Sequence, residues 1–272
     1  MALAAVFVGV AFAAFGGTSS RVVDPVAEAA TVSSTAPGYQ MRFSIEVASP
    51  GTSTPITATG EGTFDLRDQS GSMSVMTQAL GSESLNLQEI LNGSTVYLKL
   101  PAGAASELPT SGKQWLAVNL AKLKGIPGLS SLVGNPVSSD PSQILEYLRA
   151  VSDSIVADGH QQVDGVETTH YRADLSLDRI ADALPSADQP AAQQALSTLE
   201  QSVQLQVLPV DVWVDAHHLV RRVEMTIAIG APDEQTDEEL TIDVVHYGPE
   251  PPPVLPPADE VASLNGLVGA AG

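Results

Sequence analysis

Apolar and polar residues alternate over long stretches of the chain. Tyr39, Met41, Phe43, Ile45 and Val47 interleave with Gln40, Arg42, Ser44 and Glu46, and a period of two puts each set on its own face of a strand. The same pattern predicts strands over Pro55–Leu66, Ser70–Thr77 and Leu85–Leu91, with turn residues at Pro50-Gly51, Asp68 to Gly71 and Gly81-Ser82. Asn92-Gly93 reads as a hairpin dipeptide, because both residues accept positive φ. It leads into Thr95–Leu100, where Val96, Leu98 and Leu100 share a face, and Lys113–Val118 makes a further short strand.

The middle of the chain changes period. Asp140-Pro141-Ser142-Gln143 supplies an N-cap acid, a proline at the first helical position and a glutamine at the third. Ile144, Leu145, Leu148 and Val151 then recur at helical spacing. Strands resume at Ser154–Val163, turn at Asp164-Gly165 and return through Val166–Leu175. Two more helical stretches follow, about Leu177–Leu184 and about Gln189–Val203, the second striped by Ala192, Ala195, Leu196, Leu199 and Val203. Three strands close the pattern: Val207–Asp215, Leu219–Ile229 and Leu240–Tyr247. In the second, Leu219, Val223, Met225, Ile227 and Ile229 share a side with Arg221 in the same phase. The expected fold is α+β: a curved antiparallel β-sheet half-barrel of about ten to eleven strands, with about three helices covering its concave face. Between sheet and helices such a fold leaves an apolar cleft of lipid size.

Length and composition refine this picture. The 272 residues suit one domain at 38–248. It is preceded by a signal-like apolar segment at 1–17 and a Ser/Thr/Ala-rich linker at 18–37 expected to be disordered, and followed by a Pro-rich tail at 249–272. Ala2 to Phe15 is apolar or Gly throughout, the length of a secretory h-region, and Ala11-Phe12-Ala13 offers a cleavage pattern, although no Lys or Arg precedes it. The expected location is therefore outside the cytoplasm, at the outer face of the cell membrane or secreted. The formal net charge is −20, from 32 acidic and 12 basic residues, which disfavours nucleic acid as a partner and reads as a solubilising surface. Cysteine is absent, which removes disulfides, thiolate metal sites and thiol catalysis.

Catalytic chemistry finds little to work with. His217-His218 beside Asp215 invites a metal reading, but neighbouring strand residues point to opposite faces, so a solvated turn is expected. His160, His170 and His246 sit singly in strands. There is no Gly-x-Ser-x-Gly elbow, phosphate loop or dinucleotide fingerprint. Glu61 and Asp65 could share a strand face without an evident pocket. The acidic run Asp233 to Glu239 lacks the Gly-centred order of a calcium loop. No catalytic residue, metal or cofactor is expected, and the chain reads as a non-enzyme.

Several passages together resemble a known group. They are Asp164-Gly165-Val166-Glu167-Thr168-Thr169-His170-Tyr171, Leu208-Pro209-Val210-Asp211-Val212-Trp213-Val214-Asp215, Leu219-Val220-Arg221-Arg222-Val223, Asn92-Gly93-Ser94-Thr95-Val96-Tyr97-Leu98-Lys99 and Gly112-Lys113-Gln114-Trp115-Leu116. In that order, over about residues 38 to 248, the chain is similar to the actinobacterial LppX/LprG-type lipoproteins with their LolA-like half-barrel. The resemblance implies a cell-envelope carrier of acylated lipid or lipoprotein; the expected partners are an acylated lipid or glycolipid and a membrane surface or envelope transporter, and a monomer is expected. The group's lipobox cysteine has no counterpart here; Phe15 stands about where it would fall, so thioether lipidation cannot occur on this sequence. The expected cavity walls are Met41, Phe43, Ile45, Val96, Leu98, Val212, Val214, Val223, Met225 and Ile227 from the strands, with Ile144, Leu148, Leu196 and Leu199 from the helices. The alternative is a non-catalytic envelope sensor or protein-docking module with a filled core, which uses the same strand faces.

Overall fold

Each stretch of alternating residues becomes a strand, and the strands pair into one sheet. The computed structural model describes residues 25–50, 55–78, 85–101, 112–119, 152–176, 207–229 and 235–263. The strands are β1 (Gly38–Ala48), β2 (Ile56–Asp65), β3 (Ser70–Gln78), β4 (Leu85–Asn92), β5 (Thr95–Lys99) and β6 (Trp115–Asn119). They continue as β7 (Ser152–Val163), β8 (Val166–Ser176), β9 (Val207–Asp215), β10 (Val220–Ile229), β11 (Thr236–Tyr247) and β12 (Val261–Ser263). Their order across the sheet is β12-β6-β5-β4-β3-β2-β1-β11-β10-β9-β8-β7. Two antiparallel meanders, β1 to β6 and β7 to β11, therefore meet where β1 lies against β11. At the β7–β8 turn Asp164 (φ 49°) and Gly165 (φ 79°) both take left-handed backbone, the mirror-image turn that matches the twist of its strands. The β4–β5 loop is Gly93-Ser94, one residue later than Asn92-Gly93, and Gly93 carries the positive φ of 57°.

The expectation of ten or eleven strands under about three helices is corrected. Among the described residues an open, curved twelve-stranded sheet carries one α-helix, α1 (Pro25–Ser34). The expected helical stretches around 140–151, 177–184 and 189–203 lie outside the described residues. The observed helix falls inside the stretch read as a linker. Pro25 opens it, as a proline can in a first turn, and Val26, Ala29, Ala30 and Ser33 bury one face at i, i+3, i+4, i+7. The stripe is made of small residues, so its hydrophobic signal is faint. The additional strand, β12, lies in the Pro-rich tail. Proline removes donors only up to Pro257; a 3₁₀ turn at Ala258–Glu260 then delivers Val261–Ser263 to pair in parallel with β6.

A bulge in β10 ties α1 to the sheet. The β9–β10 register shifts between Val220 and Arg222, so Arg221 leaves the phase of Val223 and Met225, and Val220 takes the buried place expected of Leu219. The bulge frees the backbone of Val220 from the ladder. Its N–H donates to Ser33 Oγ at 2.9 Å, and its carbonyl accepts from Tyr247 Oη at 2.7 Å. Val26, Ala29 and Ala30 of α1 pack on Val210, Val212, Val214, Val220 and Val223. A second cluster joins Tyr39, Met41, Phe43, Phe64, Met73, Ile242 and Val244.

Candidate functional site

Residues directly opposite each other in a pleated sheet share a face, so the register traces the apolar face from strand to strand. One row runs Val212, Val223, Ile242, Phe43, Gly60, Val75, Leu87. The next runs Val210, Met225, Leu240, Ile45, Ala58, Thr77, Leu85. Val244, Met41, Gly62, Met73, Glu89, Leu98 and Leu116 form a third. Val214 pairs with Val220, Ile227 with Glu238, and Val96 with Leu91 and Val118. All ten strand residues named on the sequence as cavity walls thus lie on one face. Ile144, Leu148, Leu196 and Leu199 lie outside the described residues.

This face is closed in one region and open in another. Under α1 its valines are sealed. Across β1 and β2 it is floored by aromatic rings: a Cβ on Gly60 would collide with the Phe43 ring, so only glycine lets that ring lie over β2. On β4 and β5, Leu85, Leu87 and Leu98 remain 39%, 38% and 37% exposed.

Two carboxylates share the apolar phase. Glu89 stands opposite Met73 and Leu98, in line with Leu87 and Leu91. Burial pushes its carboxyl up to about 7, since an apolar surround disfavours the charged form. Glu238, between Val47 and Ile227, is also raised by burial. Neither emerged from the sequence reading, although both leave a readable mark: an acid in phase with Leu85, Leu87 and Leu91, and one in phase with Leu240, Ile242 and Val244.

The opposite face is polar and cross-linked. Arg222 binds Asp243 through two hydrogen bonds of 2.6 and 3.0 Å, and that carboxylate, ahead of the cost of burial, raises the guanidinium's pKa. Arg42 pairs with Asp164 at 2.6 Å. Two open recesses, of about 480 and 510 Å³, lie across β1 to β4 and share Arg42, Glu61 and Ser74. His170 is not the isolated strand histidine expected. It stacks on Trp213 at 4.3 Å between ring centroids, and its Nε2 lies 2.6 Å from Asp211 Oδ1. Among the described residues its buried Nδ1 has no hydrogen-bond partner, and Asp158 Oδ2 lies 3.8 Å from it. Trp213 Nε1 donates to Gln161 Oε1 at 2.9 Å, which makes the group a packed network.

The sequence's other chemical candidates resolve as turns and strands. Asp215 is buried and accepts from the backbone N–H groups of His217 and Leu219 and from Arg221 Nε. Burial pushes its carboxyl up, but these bonds and the Arg221 charge together hold it below the usual carboxylate range. His217 and His218 are exposed, so Asp215 organises the hairpin rather than a metal. Asp65 caps its own turn, accepting from the N–H groups of Arg67 and Asp68, about 13 Å along the strand from Glu61. Asp237 to Glu239 fall inside β11, which sends Glu238 to the face opposite its neighbours. Among the described residues no group of three His, Asp or Glu side chains could hold a metal, and no helix is long and apolar enough to cross a membrane.

No protein-family model matches the chain, and no curated protein matches it. Among solved structures it is similar to LprF from Mycobacterium bovis, at 14% identity over 86% of this chain and 94% of that one, with a TM-score of 0.38. It is similar to the lipoprotein LppX of Mycobacterium tuberculosis at 12% identity over 86% of this chain and 100% of that one, TM-score 0.43. A LolA-superfamily protein from Nitrosomonas europaea matches at 10% identity over 84% of this chain and 93% of that one, TM-score 0.31. LppX is one of the lipoproteins for which the group resembled by the sequence is named.

Proposed function

We propose that this protein is a non-catalytic carrier of acylated lipid at the cell envelope, holding acyl chains against the apolar face of its sheet. One observation carries the reading. The face that is sealed under α1 runs on from strand to strand to β4 and β5, interrupted by Glu238 and Glu89, and there three leucines are more than a third exposed. A contiguous open apolar surface costs solubility unless something apolar covers it. Acyl chains suit it because their contacts need shape and apolarity alone, and the face offers few polar groups. Ile45, Leu98, Met225 and Ile227, which keep some exposure, would contact the chains, while the buried Met41, Phe43 and Val96, and Val212, Val214 and Val223 beneath α1, support them. Export, a monomeric state and delivery to a membrane or transporter belong to the same proposal.

Native mass spectrometry of the full chain, followed by organic extraction, tests it. A co-purifying diacyl or triacyl lipid, lost from a folded Leu87→Arg/Leu98→Arg variant, is the expected result. A clean apo mass with no uptake of added phospholipid or glycolipid overturns it in favour of a protein-docking module.

A further inference from the structure

Glu89 is out of place by every rule that built the sheet. Its neighbours on the apolar face are Met73 and Leu98 across the ladder and Leu87 and Leu91 along its own strand. From β2 to β6 the residues of that face are Ile56, Ala58, Gly60, Gly62 and Phe64, then Gly71, Met73, Val75 and Thr77, then Leu85, Leu87, Glu89 and Leu91, then Val96, Leu98, Leu116 and Val118. Glu89 is the one titratable group among them. The other charged groups of the same strands, Glu61, Asp65 and Lys99, fall in the opposite phase, where Asp65 caps its own turn and Lys99 is held by Gln88 and the Trp115 ring. An acid left alone in an apolar surround costs free energy until a donor reaches it. Nothing in the fold demands it, because leucine would continue the stripe. The half-exposed leucines beside it leave the approach open.

We propose that Glu89 anchors an ammonium-bearing amphiphile, its carboxylate binding the cationic head while the alkyl part lies over Leu85, Leu87 and Leu98. The proposal rests on the carrier reading and gives it a ligand class. The net charge of −20 favours the arrival of a cation, and the pairing would gain strength from the same apolar surround that penalises the free carboxylate. Because the carboxyl titrates near 7, the anchor is charged above neutrality and is lost in mild acid.

The experiment uses the full-length protein with neutral diphenylhexatriene as a fluorescent reporter, displaced by dodecylammonium or dodecanol. At pH 8 the wild type should prefer dodecylammonium over dodecanol by about tenfold, the scale of one charge-assisted contact. The preference should vanish near pH 5.5, and at both pH values in Glu89→Gln. It should persist in Glu238→Gln, whose carboxyl sits on the same face between Val47 and Ile227. A preference untouched by Glu89→Gln, or one that follows Glu238→Gln, overturns the assignment. If the reporter binds wild type and Glu89→Gln alike but no amine preference exists, the anchor fails and the carrier reading stands. Absence of reporter binding to the wild type defeats both.

Discussion

The two ends of the apolar face are built from different side chains. Beneath α1 it is made of valine against alanine: Val210 and Val212 are 0% exposed, as are Val26, Ala29 and Ala30 above them. On β4 and β5 it is made mostly of leucines, three of them more than a third exposed, with the buried Val96 and one acid among them. Stiff β-branched side chains against small ones close into a single dense packing. Long, flexible side chains around a carboxyl that has no partner among the described residues do not, so that end behaves as an accessible surface. The same alternation thus produces a core at one end and a binding surface at the other. What differs is the size of the residue opposite and whether the stripe is interrupted by charge.

Substitutions should separate the two ends in proportion to how closed each is. Val210→Asp should cost about 4 kcal/mol or more, because it buries an unpaired charge under α1, whereas Leu87→Asp should cost about 1 kcal/mol or less; urea midpoints compare them directly. A cost at Leu87 as large as that at Val210 would erase the distinction. Next in size is Glu89→Gln. The folded carboxyl titrates at about 7, above the ordinary value, so between those two values the folded state keeps a proton that the unfolded chain releases. Stability then falls as pH rises through that window. Glu89→Gln should stabilise by about 1–2 kcal/mol at pH 8 and by nothing near pH 4, allowing for partial solvent access. Ser33→Ala comes after it: it strands the Val220 N–H at the bulge and should cost about 1 kcal/mol without changing ligand binding on β4 and β5.

How much of this could be read from the sequence depended on the strength of each periodic signal. Eleven strands announced themselves by alternation, and Asp164-Gly165 by its turn chemistry. Val26, Ala29, Ala30 and Ser33 follow a helical period, but small residues and Ser/Thr-rich flanks imitate a linker, and only the partner valines of β9 and β10 reveal the helix. β12 is a three-residue strand whose identity comes entirely from the free edge of β6. The bulge at Arg221 shifts the phase of β10 by one residue, which no alternation within β10 itself could disclose. The cavity residues on strands shared a face by period alone. Glu89 and Glu238, the residues that give this face its chemical character, were legible as interruptions in an apolar phase.

The pairing of β1 with β11 carries a consequence for how the chain acquires this shape. Each meander is made of neighbours in sequence and can form as it emerges. The seam between them joins β1 to β11, from Ala48 with Asp237 to Tyr39 with Tyr247, so the loop it closes takes in both meanders. Long-range pairing of this kind slows folding into the millisecond-to-second range, because the entropy of closure comes before the reward of contact. Until β10 and β11 exist, β1 is an exposed edge bearing Met41, Phe43 and Ile45, and a half-made chain is a sticky one. The mature molecule is then an outcome of timing as well as of packing: a chain held extended until its last strands are available reaches the seam without first pairing with another copy of itself.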